Sequence, residues 1–281
     1  MTTTTDGGYL RQQGYRVRFE RGERGAAALA ERRSPAVAVL VVVDVLSFST
    51  AVDVATAHGA SVFPSHFRSS EESAQLAQMY GALLAVPRRK RSADSPYTLS
   101  PATLEALPNG ARLVLPSPNG ARCVRAAYER GISTVVVGCL RNATAVAAFA
   151  ATHAGAGAIA VIAAGERWPD GTLRPALEDD LGAGAILAAL DDDTEASPEA
   201  RYVMRAYRTA NETLADDIRA SISGRELIDS GYADDVERAM EIDVSANVPV
   251  LSPDGFFTAL ESARTAEPIR RGVVPTGRTP S

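Results

Sequence analysis

The sequence predicts an α/β fold: a mostly parallel sheet with helices on both faces, in one domain or in two α/β lobes. The first observation is Ala36–Val43, an apolar run with no polar break and five valines. β-Branched side chains suit a pleated strand better than a helix. A run without alternation marks a strand covered on both faces, as in a parallel sheet. The second observation is repetition. Arg112–Leu115, Thr134–Val137 and Ala158–Ala163 read as further strands, and each gives way to a short polar or glycine-containing turn. The third is alternation: helical stretches separate these strands, the pattern of a wound α/β sheet. At 281 residues, 46% hydrophobic and 22% charged, the composition is that of an ordinary globule.

The remaining elements follow in chain order. Residues 1–14 are polar, lack the apolar core of a signal peptide, and read as a disordered start. Tyr15–Phe19 alternates like a strand, and Gly25–Arg33 is an alanine-rich helix stopped by Ser34-Pro35. After Val43 comes Asp44, then Ser47, Ser49 and Thr50, and Ala51–His58 reads as a helix closed by Gly59. Ser61–Pro64 and Ala82–Val86 are short strands around a helix at Glu71–Tyr80. Pro87–Pro96, with the consecutive basic residues Arg88–Arg91, reads as an exposed, mobile loop that draws in an anionic substrate. Thr103–Leu107 is a short helix, and Asn109-Gly110 a turn. Ala121–Arg130 and Ala143–His153 are helices following strands. Asp170-Gly171 marks a hairpin tip within Trp168–Thr172. Leu181–Leu190 is a small-residue helix. Glu199–Ala220 reads as one long amphipathic helix broken by Ser223-Gly224. Residues 224–240 hold one or two helices with Tyr232 and Val236 on one face. Val248–Ser252 is a last strand, and Glu267–Ser281 a disordered tail rich in Arg, Gly, Pro and Thr.

Several function classes fall away. A net charge of -5 gives no reason to expect nucleic acid or an anionic membrane as partner. No apolar run approaches membrane-spanning length. Cys123 and Cys139 form no CxxC and, with three histidines in the chain, no zinc pattern, so a reduced, cytoplasmic setting is the expectation. Lys90 is the only lysine, which removes the phosphate-binding loop ending in Gly-Lys-Ser/Thr. Gly155-Ala156-Gly157 precedes a strand instead of following one, so it is no dinucleotide fingerprint. Leu46 stands where an aspartyl phosphatase carries its second acid. Neither cysteine heads a C-x5-R loop, and no G-x-S-x-G elbow occurs.

What remains is oxygen chemistry at strand ends. Asp44, Glu166 and the triplet Glu178-Asp179-Asp180 are acids in such places. Oxygen ligands without histidine or cysteine suit a hard ion such as Mg2+. The plainer reading of the triplet is an acidic helix N-terminus. Converging carboxylates repel unless a cation joins them, so acids of this group are expected to gather around one Mg2+. Ser117, Asn119 and Gly120 in one turn, and Arg141 with Asn142 in another, can present N–H groups to a phosphate. Glu166 and Arg167 complete the expected substrate-binding set, Arg167 as a two-point clamp.

These residues fall in stretches that resemble the 2-phosphosulfolactate phosphatase family, the ComB-like proteins of coenzyme M biosynthesis. The stretches are VVVDVLSFST, SPNGARCVRAA, GCLRNATAVA, AAGER and LEDDLGAGAIL, in the family's order from Val41 to Leu187, with a weaker echo in Val248–Phe257. The resemblance implies an α/β phosphatase domain, here residues 15–266, Mg2+ dependence, and hydrolysis of phosphate esters of small 2-hydroxy acids. It places Asp44, Asn119, Asn142, Glu178 and Asp179 on the family's polar motif positions, so Asp44, Glu178 and Asp179 are the acids expected around one Mg2+, as metal ligands and catalytic acids. The implied partner is a small anionic phosphorylated substrate; a homodimer is left open. Two departures stand out. The family usually has arginine and alanine after D-V-L, where this chain has Ser47-Phe48. Its glycine- and acid-containing loop is here Arg88–Pro96, ending Ala93-Asp94-Ser95-Pro96. The preferred substrate is therefore open. The alternatives are a paralogue that binds an anionic metabolite without hydrolysing it, and a scaffold that leaves the acids unused.

Overall fold

The computed structural model describes residues 11–31, 35–66, 70–210 and 212–260. The expected tail lies outside the described residues, as do residues 1–10 of the expected disordered start. Residues 11–14 are ordered: the buried Gln12 side chain donates to the Phe19 carbonyl at 2.6 Å and accepts from its N–H at 3.1 Å, standing in for a strand neighbour.

Four strands, three of them rich in valine or alanine, form the first half of the sheet. They are β1 (Val17–Arg21), β2 (Val37–Val43), β6 (Thr134–Gly138) and β7 (Ala158–Ala163). All pair in parallel, in the order β1-β7-β2-β6. A second parallel group is β3 (Ser61–Ser65), β5 (Arg112–Pro116) and β4 (Leu83–Leu84). A hairpin of β10 (Pro249–Leu251) and β11 (Phe257–Ala259) joins the halves. It does so through one antiparallel pair on each side, Val250 with Val136 and Phe257 with Val62. The expected strands thus share one nine-stranded sheet, β1-β7-β2-β6-β10-β11-β3-β5-β4, although β5 is not beside β6. A small separate hairpin, β8 (Glu166–Arg167) with β9 (Leu173–Arg174), brackets the expected Asp-Gly tip.

The helices are α1 (Gly22–Leu29), α2 (Phe48–Ala57), α3 (Ser70–Tyr80), α4 (Pro101–Leu104), α5 (Gly120–Tyr128) and α6 (Ala143–Ala154). They continue with α7 (Leu177–Leu190), α8 (Pro198–Ala210), α9 (Leu214–Ala220), α10 (Ile222–Asp229) and α11 (Ala233–Ala239). Strand β2 is buried on both sides, as its unbroken apolar run required. Val39, Val41 and Val43 join one core with residues of α6, α7 and α8. Leu40 and Val42 join the other with residues of α1, α2 and α5 and the strand residues Val62, Leu113 and Leu115. Among the described residues no helix is long and apolar enough to cross a membrane.

Direction matters for the site. Each antiparallel pair reverses the chain, and three such pairs separate β6 from β3. In a flat sheet the carboxyl ends of β2 and β5 would lie on opposite edges. Yet the Gly120 N–H, just beyond β5, donates to Asp44, just beyond β2, at 2.8 Å. The sheet must therefore curl at the hairpin, in keeping with the coiling that twisted sheets adopt.

Several expectations are corrected. The long helix Glu199–Ala220 is two helices, α8 and α9. Ser223-Gly224 does not break a helix; it lies inside α10, whose N-cap is Ser221, accepting from Gly224 N–H at 3.0 Å. Gly224 fits there because a Cβ would stand 2.0 Å from the Ile218 carbonyl oxygen. Tyr232 is the N-cap of α11, so it does not share a helical face with Val236. Residues 88–90 form a short 3-10 turn. Arg88 is neither exposed nor free, its side chain being 19% exposed and paired with Asp235; Arg89, Lys90 and Arg91 are exposed as expected.

Candidate active site

Asp44 ends β2 on a turn built by its own neighbours. Its N–H donates to Ser49 Oγ at 2.7 Å, and Thr50 Oγ1 donates to the Val45 carbonyl at 2.8 Å. These hydroxyls close the turn and are not presented to a ligand. The Asp44 carboxylate is buried. Oδ1 accepts the Phe48 N–H at 3.3 Å; Oδ2 accepts the Gly120 N–H at 2.8 Å and the Ser117 hydroxyl at 3.4 Å. The N–H of Gly120, expected to cradle a phosphate, is thus used to seat Asp44. A Cβ on Gly120 would stand 2.3 Å from Phe48 Cδ1 and 2.8 Å from Asp44 Oδ2, so only glycine allows this approach.

The α7 N-terminus brings in the acidic triplet, and each member does something different. Asp179 takes the Val45 N–H at 2.7 Å and the Gly165 N–H at 2.8 Å, tying the ends of β2 and β7 together. Asp180 pairs with Arg21 through two contacts of 2.8 Å. Glu178 is buried, and its Oε2 has no hydrogen-bond partner among the described residues. A buried carboxylate oxygen without a partner is costly and points to a ligand.

Glu166 lies at the base of the β8–β9 hairpin, directly opposite Arg174. Asn119 lies close enough to Glu166 to favour its charged form. Arg174 is buried, donates to Ser223 Oγ at 3.2 Å, and eases the charge on Glu166. Sequence reasoning missed Arg174. The Asp-Gly tip held the signal, since pairing outward from Trp168–Thr172 sets residue 174 against 166. Arg167 points elsewhere: it donates to the Gly171 carbonyl at 2.8 Å and pairs with Glu23 at 3.2 Å.

Two expected binders are not brought to the acids. Arg141 pairs with the fully buried Asp53 at 3.0 Å, and also with Glu241. Asn142 accepts from Cys139 N–H at 2.9 Å and donates to the Asn247 carbonyl at 3.0 Å. Both are occupied in holding the β6 turn to α2 and to the segment before β10.

The electrostatics follow from crowding. Burial, the nearby Glu166 charge and, less, Glu178 push Asp44 up to about 7, against the two N–H groups that favour its charged form. Burial, then Asp44 and Glu178, hold Asp179 well above the usual carboxylate range. Burial also raises Glu166, against Asn119 and Arg174. Burial pushes both thiols up, so neither Cys123 nor Cys139 is a ready nucleophile.

Among the described residues no three acids, histidines or cysteines come together closely enough to cage a metal by themselves. Mg2+ does not need such a cage, since it keeps several waters and takes one or two carboxylates directly. The unpartnered Glu178 oxygen and the mutually repelling Asp44, Glu166 and Glu178 fit an ion of that kind. A cleft of about 910 Å³ opens beside the site, lined by Ser117, Pro118, His66, Arg88, Arg89 and Tyr232 among others.

A family model described as 2-phosphosulpholactate phosphatase matches residues 26–254. A 2-phosphosulfolactate phosphatase of Methanothermobacter thermautotrophicus (strain Delta H) is 35% identical over 153 residues, which cover 54% of this chain and 61% of that relative. The matched stretch therefore spans about three fifths of the relative's length.

Proposed function

The chain belongs to the 2-phosphosulpholactate phosphatase family, and on that premise we propose that it hydrolyses the phosphate ester of a small 2-hydroxy acid, 2-phosphosulfolactate or a near analogue, with Mg2+. The observation that carries this reading is the seat of Asp44. Its carboxylate is fixed by amides from both halves of the sheet, within electrostatic reach of Glu178, whose Oε2 has no partner among the described residues, and it accepts the hydroxyl of Ser117, which lines a cleft with basic residues.

Hydrolysis breaks the bond between phosphorus and the ester oxygen, and water supplies the new oxygen. One proton leaves the attacking water for a carboxylate of the site, and solvent water returns one to the departing alkoxide. Asp44 and Glu178 are the residues that would hold Mg2+. Bound there, such an ion would supply polarisation of a phosphoryl oxygen and offset negative charge gathering on it. Asp179 positions the site: both of its oxygens are taken by backbone N–H groups, which fixes the turns after β2 and β7. Glu166, raised by burial, is the carboxylate that takes the proton from the attacking water. The Ser117 hydroxyl and the Arg174 guanidinium are the donors that meet the phosphoryl oxygens as charge grows there. The basic cleft holds the rest of the acid.

The test is phosphate release from a panel of phosphorylated 2-hydroxy acids, with Mg2+ and with a chelator. Release in Mg2+ alone is expected. If no ester is hydrolysed while the same esters raise the melting temperature, the chain is a binder of anionic metabolites and the phosphatase reading falls.

A further inference from the structure

Arg88 begins the basic run that the sequence presents as a solvated flap, but the fold fixes it. Its Nη2 donates to Asp235 Oδ2 at 2.9 Å and to Ser47 Oγ at 2.9 Å, and its Nε reaches the same Asp235 oxygen at 3.3 Å. Its guanidinium carbon lies 5.1 Å from the centre of the Tyr232 ring. Asp235 is buried on α11, and its other oxygen accepts the Ser100 hydroxyl. Arg88 is thus pinned by α11 and by the residue that precedes α2. Nη1 makes no hydrogen bond among the described residues, and the residue lines the cleft together with Ser117.

The position relative to the acids is the telling point. Ser47, which Arg88 touches, is followed by Phe48, whose N–H seats Asp44 Oδ1 at 3.3 Å. Ser117, on the same cleft wall, touches Asp44 Oδ2 at 3.4 Å. A small phosphate ester with its phosphoryl group at Asp44 and Ser117 would place its remaining groups in that cleft. A phosphate alone needs no further cation there. A second acid group does, and a guanidinium meets a carboxylate or sulfonate with two parallel N–H donors. Because Asp235, Ser47 and Tyr232 already hold the side chain, little rotamer freedom is lost on binding. Asp235 offsets part of the charge but leaves the donors of Nη1 unused.

We infer that Arg88 is a specificity-determining residue that binds the carboxylate or sulfonate of the substrate, and that Asp235 positions it. The choice of ligand class rests on the phosphatase reading given above. Removing Arg88 alone would strand Asp235 as an unpaired buried charge, so the informative variant is the pair Arg88→Gln with Asp235→Asn, beside Arg88→Lys. Two esters are compared: a phosphorylated 2-hydroxy acid that carries a sulfonate or carboxylate, and glycerol phosphate, which carries neither. The expected loss for the double variant is about ten- to a hundredfold in kcat/KM on the acidic ester, mainly in KM, the worth of one charge-assisted contact. On glycerol phosphate kcat/KM should stay within about twofold of wild type, because the contact is absent there. Arg88→Lys should recover charge attraction but not the two-point contact, and fall between. Equal losses on both esters, or none on the acidic one, would overturn the inference. If wild type hydrolyses neither ester, the phosphatase reading fails by itself. The inference is then judged on thermal stabilisation by the unphosphorylated sulfonated hydroxy acid: wild type should be stabilised and the double variant not. Equal stabilisation, or none in wild type, would refute it.

Discussion

At the residue scale the site depends on how one carboxylate is seated. Asp44→Asn should keep the fold and lose most Mg2+-dependent turnover. A lost direct ligand removes about 3 kcal/mol of transition-state stabilisation, roughly a hundredfold in rate; steady-state kinetics over a Mg2+ series reads it. The same residue predicts a pH effect in metal-free protein. Its folded-state pKa is pushed up to about 7, above the ordinary carboxylate value. The folded chain therefore holds this proton more tightly than the unfolded chain, and the stability this confers is present at acid pH. It is lost as pH rises from the ordinary carboxylate range through about 7. Asp179 and Glu166, also raised, act in the same sense. With a chelator present, wild type should lose melting temperature between pH 5 and 8 more steeply than Asp44→Asn; identical slopes would contradict the assignment. Gly120 shows where residue-level reading stopped. Its place at a helix start was legible in Asn119-Gly120, but an amide free for phosphate and an amide already used by Asp44 look alike in a sequence. Gly120→Ala should displace Phe48 and Asp44 together, lowering kcat along with stability.

At the scale of elements, the α7 N-terminus turns three adjacent acids into three separate functions. Successive helix residues point about 100° apart, so Glu178, Asp179 and Asp180 cannot share one target. The sequence showed the cluster, and its composition pointed to a cation or to a helix terminus. The acids do occupy the first turn of α7; there Asp180 and Asp179 are taken by Arg21 and by backbone amides, while Glu178 Oε2 is left without a partner among the described residues. Two opposite outcomes follow. Asp179→Ala leaves the Val45 and Gly165 N–H groups unpaired and should cost about 2–5 kcal/mol in denaturant unfolding. Glu178→Gln removes a buried charge that has no partner, so metal-free protein should melt at a higher temperature than wild type. The same variant should lose the stabilisation that Mg2+ gives wild type. If Mg2+ raises the melting temperature of both proteins equally, Glu178 is not a ligand.

At the scale of the molecule, the individual strands were readable because apolar runs alternate with helices, but their division into two parallel groups was not. Nor was the curl that brings them together. It depends on β10 and β11, three residues each, and on single residue pairs at their flanks, which leave no periodicity to detect. Only Val248–Ser252 was marked as a strand; its partner was missed, since Phe256-Phe257 follows a turn and is too short to alternate. The hairpin nevertheless sets the candidate site, because Asp44 stands beyond one half and Ser117 and Gly120 beyond the other. Phe257 is its anchor. It is fully buried, pairs with Val62 of β3, and meets the Phe48 ring edge-on with centroids 6.5 Å apart. Phe48 in turn gives Asp44 its second N–H. Phe257→Ala should cost about 3–5 kcal/mol, as truncation of a buried phenylalanine does. It should also lower kcat at temperatures where the variant is still folded, because the two carboxyl edges lose their common reference. Phe19→Ala supplies the control: Phe19 is equally buried but sits in β1, within the first half alone. Its loss should reduce stability to a similar degree and leave kcat near wild type. Equal effects of the two substitutions on kcat, measured well below both melting transitions, would mean that the hairpin only adds stability and does not align the site.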